Sequence, residues 1–217
     1  MKVRQICQND DQYPVQLAQR MGGAAPVSIA AGGNLDILQY PRIGLICSIQ
    51  CPGSIVIKTF DTIRKLRDEK IVMIGGFHSP MERECLDLLL RGAQPVILCP
   101  ARSLRNLRMG KAARKAVVEG RLLVLSFFGD NIRRTTAPQG ILRNDMVAVL
   151  AEAILVPHAS KNGKTWATVC RALESGQKVF TFEDEANADL IASGASACRV
   201  SHLGELVNEV KRIKGTS

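Results

Sequence analysis

The sequence predicts an α/β protein with an extended Rossmann-like fold, a mostly parallel sheet flanked by helices. Three observations carry that reading. Short runs of β-branched and apolar residues recur along the chain and are continuously apolar, as strands buried on both faces are. Helical patterns separate most of these runs, and strict strand–helix alternation builds right-handed βαβ units whose ligand site lies beyond the carboxyl ends of the strands. The length, 217 residues, suits one α/β core that buries about two thirds or more of its unfolded surface.

Taken in order, residues 1–40 form a lead-in packed on the core. Tyr13-Pro14, Leu17, Pro26 and the Gly32-Gly33-Asn34 turn suit a small helix and a hairpin against one sheet edge. The core is expected over 41–217. Strands are predicted at Val27–Ala30, Ile43–Cys47, Ile71–Ile74, Pro95–Cys99, Leu122–Ser126, Ala153–Val156 and Lys178–Phe182. Helices are predicted at Ser54–Glu69, Pro80–Arg91, Leu104–Glu119, Asn144–Glu152, Thr165–Ser175 and Leu203–Lys214, with a polar loop over Gly129–Gly140. No repeat or low-complexity tract interrupts this order.

Composition narrows the function. The longest apolar runs fall far short of the roughly 18 residues of a membrane span, and the first residues carry Asn9, Asp10 and Asp11 in place of a secretory h-region. A cytoplasmic protein without membrane contact is expected. Seven dispersed cysteines fit neither a disulfide framework nor a structural zinc site, and Cys47 and Cys51 lack the second ligand pair that a metal needs. They are read as small core residues, with no metal and no cofactor. A net charge of +9 and a pI near 9.4 favour a polyanionic or nucleotide partner. The few aromatics argue against an extended base-stacking platform.

Three strand-to-helix junctions suit phosphate, because small residues let backbone N–H groups approach an anion at a helix N-terminus. The first runs from Cys47 through Ser48 to Gly53. The second is Gly75-Gly76-Phe77-His78-Ser79-Pro80, with Ser79 as N-cap, Pro80 at the first helical position and Glu82 in the first turn. The third, Pro157 to Thr165, offers Asn162, Gly163, Lys164 and Thr165. It is not a P-loop, since His158 stands where that motif requires glycine. Arg102, Arg105, Arg108, Lys111 and Arg114 recur every third residue, and on the predicted helix they form a basic stripe. With Arg133, Arg134 and Arg143 they make an electrostatic track for a phosphate backbone. His78 and His158 both follow predicted strands, yet no nucleophile elbow or paired carboxylates accompany them. Catalysis is not expected.

Five segments, in order, resemble the DNA-processing protein A (DprA/Smf) family from about residue 13 to about residue 183. The lead-in Tyr13-Pro14, Leu17, Pro26 and Gly33-Asn34-Leu35 is similar to its YPxxL, P and GN(L) entry. Gly75-Gly76 through Glu82 lies at its SGxARGID, and Arg91 through Leu98 at its GG-x-TIAVL strand. Arg143-Asn144-Asp145 resembles RNRIIAG, and Asn162 through Thr168 resembles SGSLxTA, followed by Glu174 through Phe180 for EqGReVF. The resemblance implies an extended Rossmann domain, no enzymatic activity, and single-stranded DNA binding with delivery to a recombinase. It also implies phosphate-binding roles for Arg143, Asn144 and the three junction loops. Expected partners are therefore single-stranded DNA or a nucleotide, a recombinase, and further copies of the chain.

The chain departs from the family at three points. Cys47-Ser48-Ile49 stands for GSR, so that arginine is missing; Gly140 and Ile141 occupy the region of an expected aromatic; and Asp145 replaces the second arginine of RNR. The chain also reads as a core-only variant without the family's added helical and winged-helix-like domains. Two alternatives stand beside the main reading. One is a nucleotide-ligand sensor domain using the same crevice; the other is a phosphoribohydrolase-like enzyme of the related lysine-decarboxylase-like fold. Against the latter, nothing like the glutamate of PGGxGTxxE follows Gly163.

Overall fold

The computed structural model describes residues 1–69 and 71–215. Lys70, Thr216 and Ser217, which fall within the expected 41–217 core, lie outside the described residues. One sheet contains β1 (Val3–Cys7), β2 (Ser28–Gly32), β3 (Arg42–Leu45), β4 (Val72–Gly75) and β5 (Val96–Leu98). It continues with β6 (Leu122–Ser126), β7 (Ala153–Leu155), β8 (Lys178–Phe182) and β9 (Ser196–Cys198). Its order is β1-β2-β6-β5-β4-β3-β7-β8-β9. All neighbours are parallel except β1–β2 and β2–β6. The chain winds outward from β3 to β6, then crosses back to β7 on the other side of β3. The winding reverses between β3 and β7, where Ile43 lies opposite Ala153. In an open α/β sheet that reversal opens a crevice at the carboxyl edge.

Period-two alternation splits each central strand between two apolar layers. In β6, Leu123 and Leu125 face one layer, while Leu122 and Val124 face the other. The first layer is closed by α1 (Val15–Met21), α5 (Ala137–Leu150), α6 (Lys164–Glu174) and α7 (Ala188–Ala192). The second is closed by α2 (Gly53–Arg67), α3 (Pro80–Leu90), α4 (Lys111–Val118) and α8 (Gly204–Gly215). At the amino edge, buried Arg42 donates from Nη2 to Glu152 Oε1 at 2.7 Å and from Nη1 to the Leu38 carbonyl at 3.0 Å. This pair ties the start of β3 to the end of α5. Among the described residues no helix is long and apolar enough to cross a membrane.

Two helices differ from the sequence expectation. The helix expected over Leu104–Glu119 begins only at Lys111, because Ser103 N–H is drawn onto the Ile132 carbonyl and Asn106 adopts a left-handed φ of 56°. The helix expected from Asn144 begins at Ala137. A Pro sits in its first turn, and Gln139 Oε1 reaches back to accept from Thr136 N–H at 2.7 Å, a contact of capping-box type. Arg143 is therefore mid-helix and does not start a helix.

Candidate functional site

At the reversal point lies a crevice of about 790 Å³. Four segments line it: Cys47 to Gln50 after β3; His78, Ser79 and Glu82 after β4; Thr135 to Asn144 where α5 begins; and Ser160 to Thr165 leading into α6. Of the residues singled out from sequence, Ser48, His78, Ser79, Arg143, Asn144, Asn162, Gly163, Lys164 and Thr165 line it. Gly53, Gly75 and Gly76 do not. Gly53 opens α2 away from the cavity, Gly75 ends β4, and Gly76 lies beneath Arg143. His158 is absent from the lining as well; its Nδ1 contacts Asn187 Oδ1 at 3.0 Å.

The β3 and β4 loops were expected to offer amides to an external anion, but an internal carboxylate takes several of them. Buried Glu82 accepts from Cys47 N–H through Oε1 at 2.9 Å, and from His78 and Ser79 N–H through Oε2 at 2.8 and 3.0 Å. Ser79 Oγ accepts in turn from Glu82 N–H, so a capping box holds the carboxylate at the positive end of α3. Phe77, in the left-handed region with φ 45°, turns the chain so that both following amides meet Glu82. The anion seat of this helix is thus already filled.

Arg143 is 5% exposed, lines the cavity and is anchored twice. Its Nη1 donates to the Cys99 carbonyl at 3.1 Å and its Nε to Asn144 Oδ1 at 2.8 Å. Burial lowers the affinity of the guanidinium for its proton, and the charge of Glu82 opposes that shift. A group that starts as basic as arginine stays charged at neutral pH. Gly76 makes room for it: a Cβ there would fall 1.4 Å from Arg143 Nη1.

The amino end of α6 is different. Gly163 is its N-cap and supplies no side chain, and among the described residues the Lys164, Thr165 and Trp166 amides have no acceptor. Asn162, with a φ of 62° that asparagine tolerates, reverses the chain just before it. Ser160 N–H donates to Ser48 Oγ at 3.2 Å and Ser48 N–H to the His158 carbonyl at 3.0 Å, which pins this loop to the β3 loop. Lys164 is exposed at the rim and joins no ion pair among the described residues.

The basic residues continue from this crevice, but not as the single helical stripe expected. Arg102, Arg105 and Arg108 lie on the irregular segment after β5, and only Lys111 and Arg114 lie on α4. Ser126 Oγ donates to the Arg102 carbonyl at 2.8 Å and Ser103 N–H to the Ile132 carbonyl at 2.8 Å. Those bonds bring the segment beside Arg133 and Arg134, next to crevice-lining Thr135 and Thr136. None of these seven cations joins an ion pair among the described residues. Ile49, at the position of the missing arginine, is 72% exposed at the rim, and Asp145 turns away to pair with Arg171 at 2.7 Å. Sequence reasoning did not foresee the Glu82 clasp or Thr135 and Thr136, although Thr136-x-x-Gln139 is a readable helix-start signal.

The family model of DNA recombination-mediator protein A matches residues 4–213. The DNA processing protein DprA of Streptococcus pneumoniae (strain ATCC BAA-255 / R6) is 25% identical over 173 residues. That stretch covers 79% of this chain and 60% of that protein, so the chain spans less than two thirds of the length of this relative. The X-ray structure of DprA from S. pneumoniae matches with a TM-score of 0.76 at 24% identity, over 92% of this chain and 72% of that one. DprA from Helicobacter pylori, described for its unique single-stranded DNA binding mode, matches with a TM-score of 0.75 at 14% identity, over 98% and 97%. The two structural likenesses establish a shared fold, and with a family match that runs through nearly every element, the chain belongs to the DNA recombination-mediator protein A family.

Proposed function

We propose that this chain binds single-stranded DNA without base specificity and without chemical turnover. A backbone phosphate sits at the open amino end of α6 beside Lys164, in the crevice that Arg143 and Asn144 also line. The strand then runs along Arg133, Arg134 and the 102–114 segment. The observation that carries this reading is the contrast between helix ends. Glu82 occupies the α3 terminus, whereas among the described residues the α6 amides and the seven cations beside the crevice have no internal anion. The ssDNA binding described for the H. pylori relative supports the same assignment. Phosphate contacts give affinity through counterion release and carry no base information, so affinity falls steeply with salt.

The test compares single-stranded DNA, duplex DNA and mononucleotides by fluorescence anisotropy at two salt concentrations. Lys164→Ala, Arg143→Ala and the pair Arg105→Ala with Arg108→Ala each lower the log–log salt slope, by about 0.7 for every phosphate of a single strand that the variant leaves unneutralised. Absence of salt-dependent ssDNA binding at low ionic strength, together with tight binding of a mononucleotide, would refute it. That outcome favours the second reading, a nucleotide sensor, for which a crevice of about 790 Å³ is large enough.

A further inference from the structure

Beside the crevice lies a second groove of about 460 Å³ between α2 and α3. Val56 and Phe60 of α2, Met81 of α3 and Ile49 give it apolar walls, and its charged groups are Arg83 and Glu84, whose charges cancel. Val56 and Phe60 are half-buried, packed on the core beneath. Ile49 lines both cavities and is the saddle between them. The first turn of α3 is their common wall, with Ser79 and Glu82 toward the crevice and Met81, Arg83 and Glu84 toward the groove. Ile49 follows Ser48, whose Oγ accepts from Ser160 N–H at 3.2 Å, and Ser160 belongs to the loop that enters α6. The open amino end of α6, the saddle and the groove are thus contiguous.

We infer that this groove is a nucleobase subsite: the base next to the phosphate at α6 crosses Ile49 and lies against Phe60, with the Arg83 guanidinium on its π face. The inference rests on the reading of the crevice as a seat for single-stranded DNA. A nucleic-acid strand offers two chemically different parts, and the two cavities differ in the same way. Phosphate needs N–H donors and cations, which the crevice supplies at α6, Lys164 and Arg143. The groove's walls offer it neither, and Glu84 repels it. A neutral heterocycle, by contrast, gains from covering Ile49, which is 72% exposed, and from contact with an aromatic ring and a guanidinium. The groove is large enough for one small heterocyclic group. Because every base has a π face, such a contact adds affinity without reading sequence.

The experiment uses the full chain, an oligothymidylate, and the same oligonucleotide with abasic tetrahydrofuran sites, compared by fluorescence anisotropy. The abasic strand should bind about 5–10-fold more weakly, the low end of base–aromatic stacking. Its salt slope should be unchanged, since its phosphates are intact. Phe60→Leu and Ile49→Ala should each weaken binding of the base-bearing strand and not of the abasic one, so that the ratio falls toward one; Ile49 is exposed enough that its variant folds even if Phe60→Leu does not. Lys164→Ala should weaken both strands and lower the salt slope. Salt-dependent binding of both strands with equal affinity by the wild-type chain would overturn this inference alone, as would a ratio that both variants leave unchanged. Equal binding together with loss of a dimer in Ile49→Ala would give the groove to a second copy of the chain. Binding of neither strand at low ionic strength would overturn the phosphate reading and this inference with it.

Discussion

Gly76→Ala isolates the buried arginine without touching it. The new Cβ would lie 1.4 Å from Arg143 Nη1, 1.8 Å from its Cζ and 2.6 Å from its Nε, overlaps that only a displacement of the Arg143 side-chain end relieves. The guanidinium must leave. Its two anchoring hydrogen bonds, to the Cys99 carbonyl and Asn144 Oδ1, are then broken. Hydrogen bonds to charged groups contribute roughly 1.5–3 kcal/mol each, and the displaced side chain regains part of that from water, so the net cost is about 2–4 kcal/mol. In a chain of this size that lowers Tm by roughly 4–16 °C. Removing Arg143 from the crevice also lowers the ssDNA salt slope by about 0.7, matching Arg143→Ala. Calorimetry and anisotropy titrations on both variants, together with the double variant, check the reasoning. Because both changes act through one side chain, the double variant should bind no more weakly than Arg143→Ala alone. Wild-type melting and binding in Gly76→Ala, or full additivity in the double variant, would refute it.

Three further outcomes are expected. Glu82→Ala leaves the Cys47, His78 and Ser79 amides without their acceptor and should cost about 3–5 kcal/mol in urea unfolding; a loss below about 1 kcal/mol would show that water replaces the carboxylate freely. Glu152→Ala strands the Arg42 charge in the core and should cost about 3–5 kcal/mol, whereas replacing both residues with Met should recover most of it; equal losses in the single and double variants would contradict this. Stability should fall at alkaline pH. Burial raises Cys99 to about 12 and Cys198 to about 11, so the unfolded chain, with ordinary thiols, sheds protons first and each pH unit above about 9 favours unfolding until those values are passed. A flat urea midpoint between pH 8 and pH 10 would rule out that linkage.

The strands of the parallel core were legible because a strand covered on both faces must be apolar throughout, as β3 through β8 largely are. The two edge strands were not, for the same reason. β1 buries only Ile6 among its five residues and β9 only Cys198 of its three, so neither leaves an apolar run to read. The helix start at Ser79 was legible from its cap, and that of α6 was expected at Thr165, one residue past its actual start at Lys164, while the basic stripe misled, because a three-residue spacing cannot reveal that Asn106 and the bond from Ser103 to Ile132 break the helix between its members. By itself, the sequence determined the alternating architecture, the family and the three loops at the carboxyl edge, all consequences of local pattern. Only the tertiary structure decided which helix end remains open to an anion. Glu82 fills the α3 terminus by reaching amides on two separate loops, one of them 35 residues away, and such a contact exists only once β3 and β4 lie side by side.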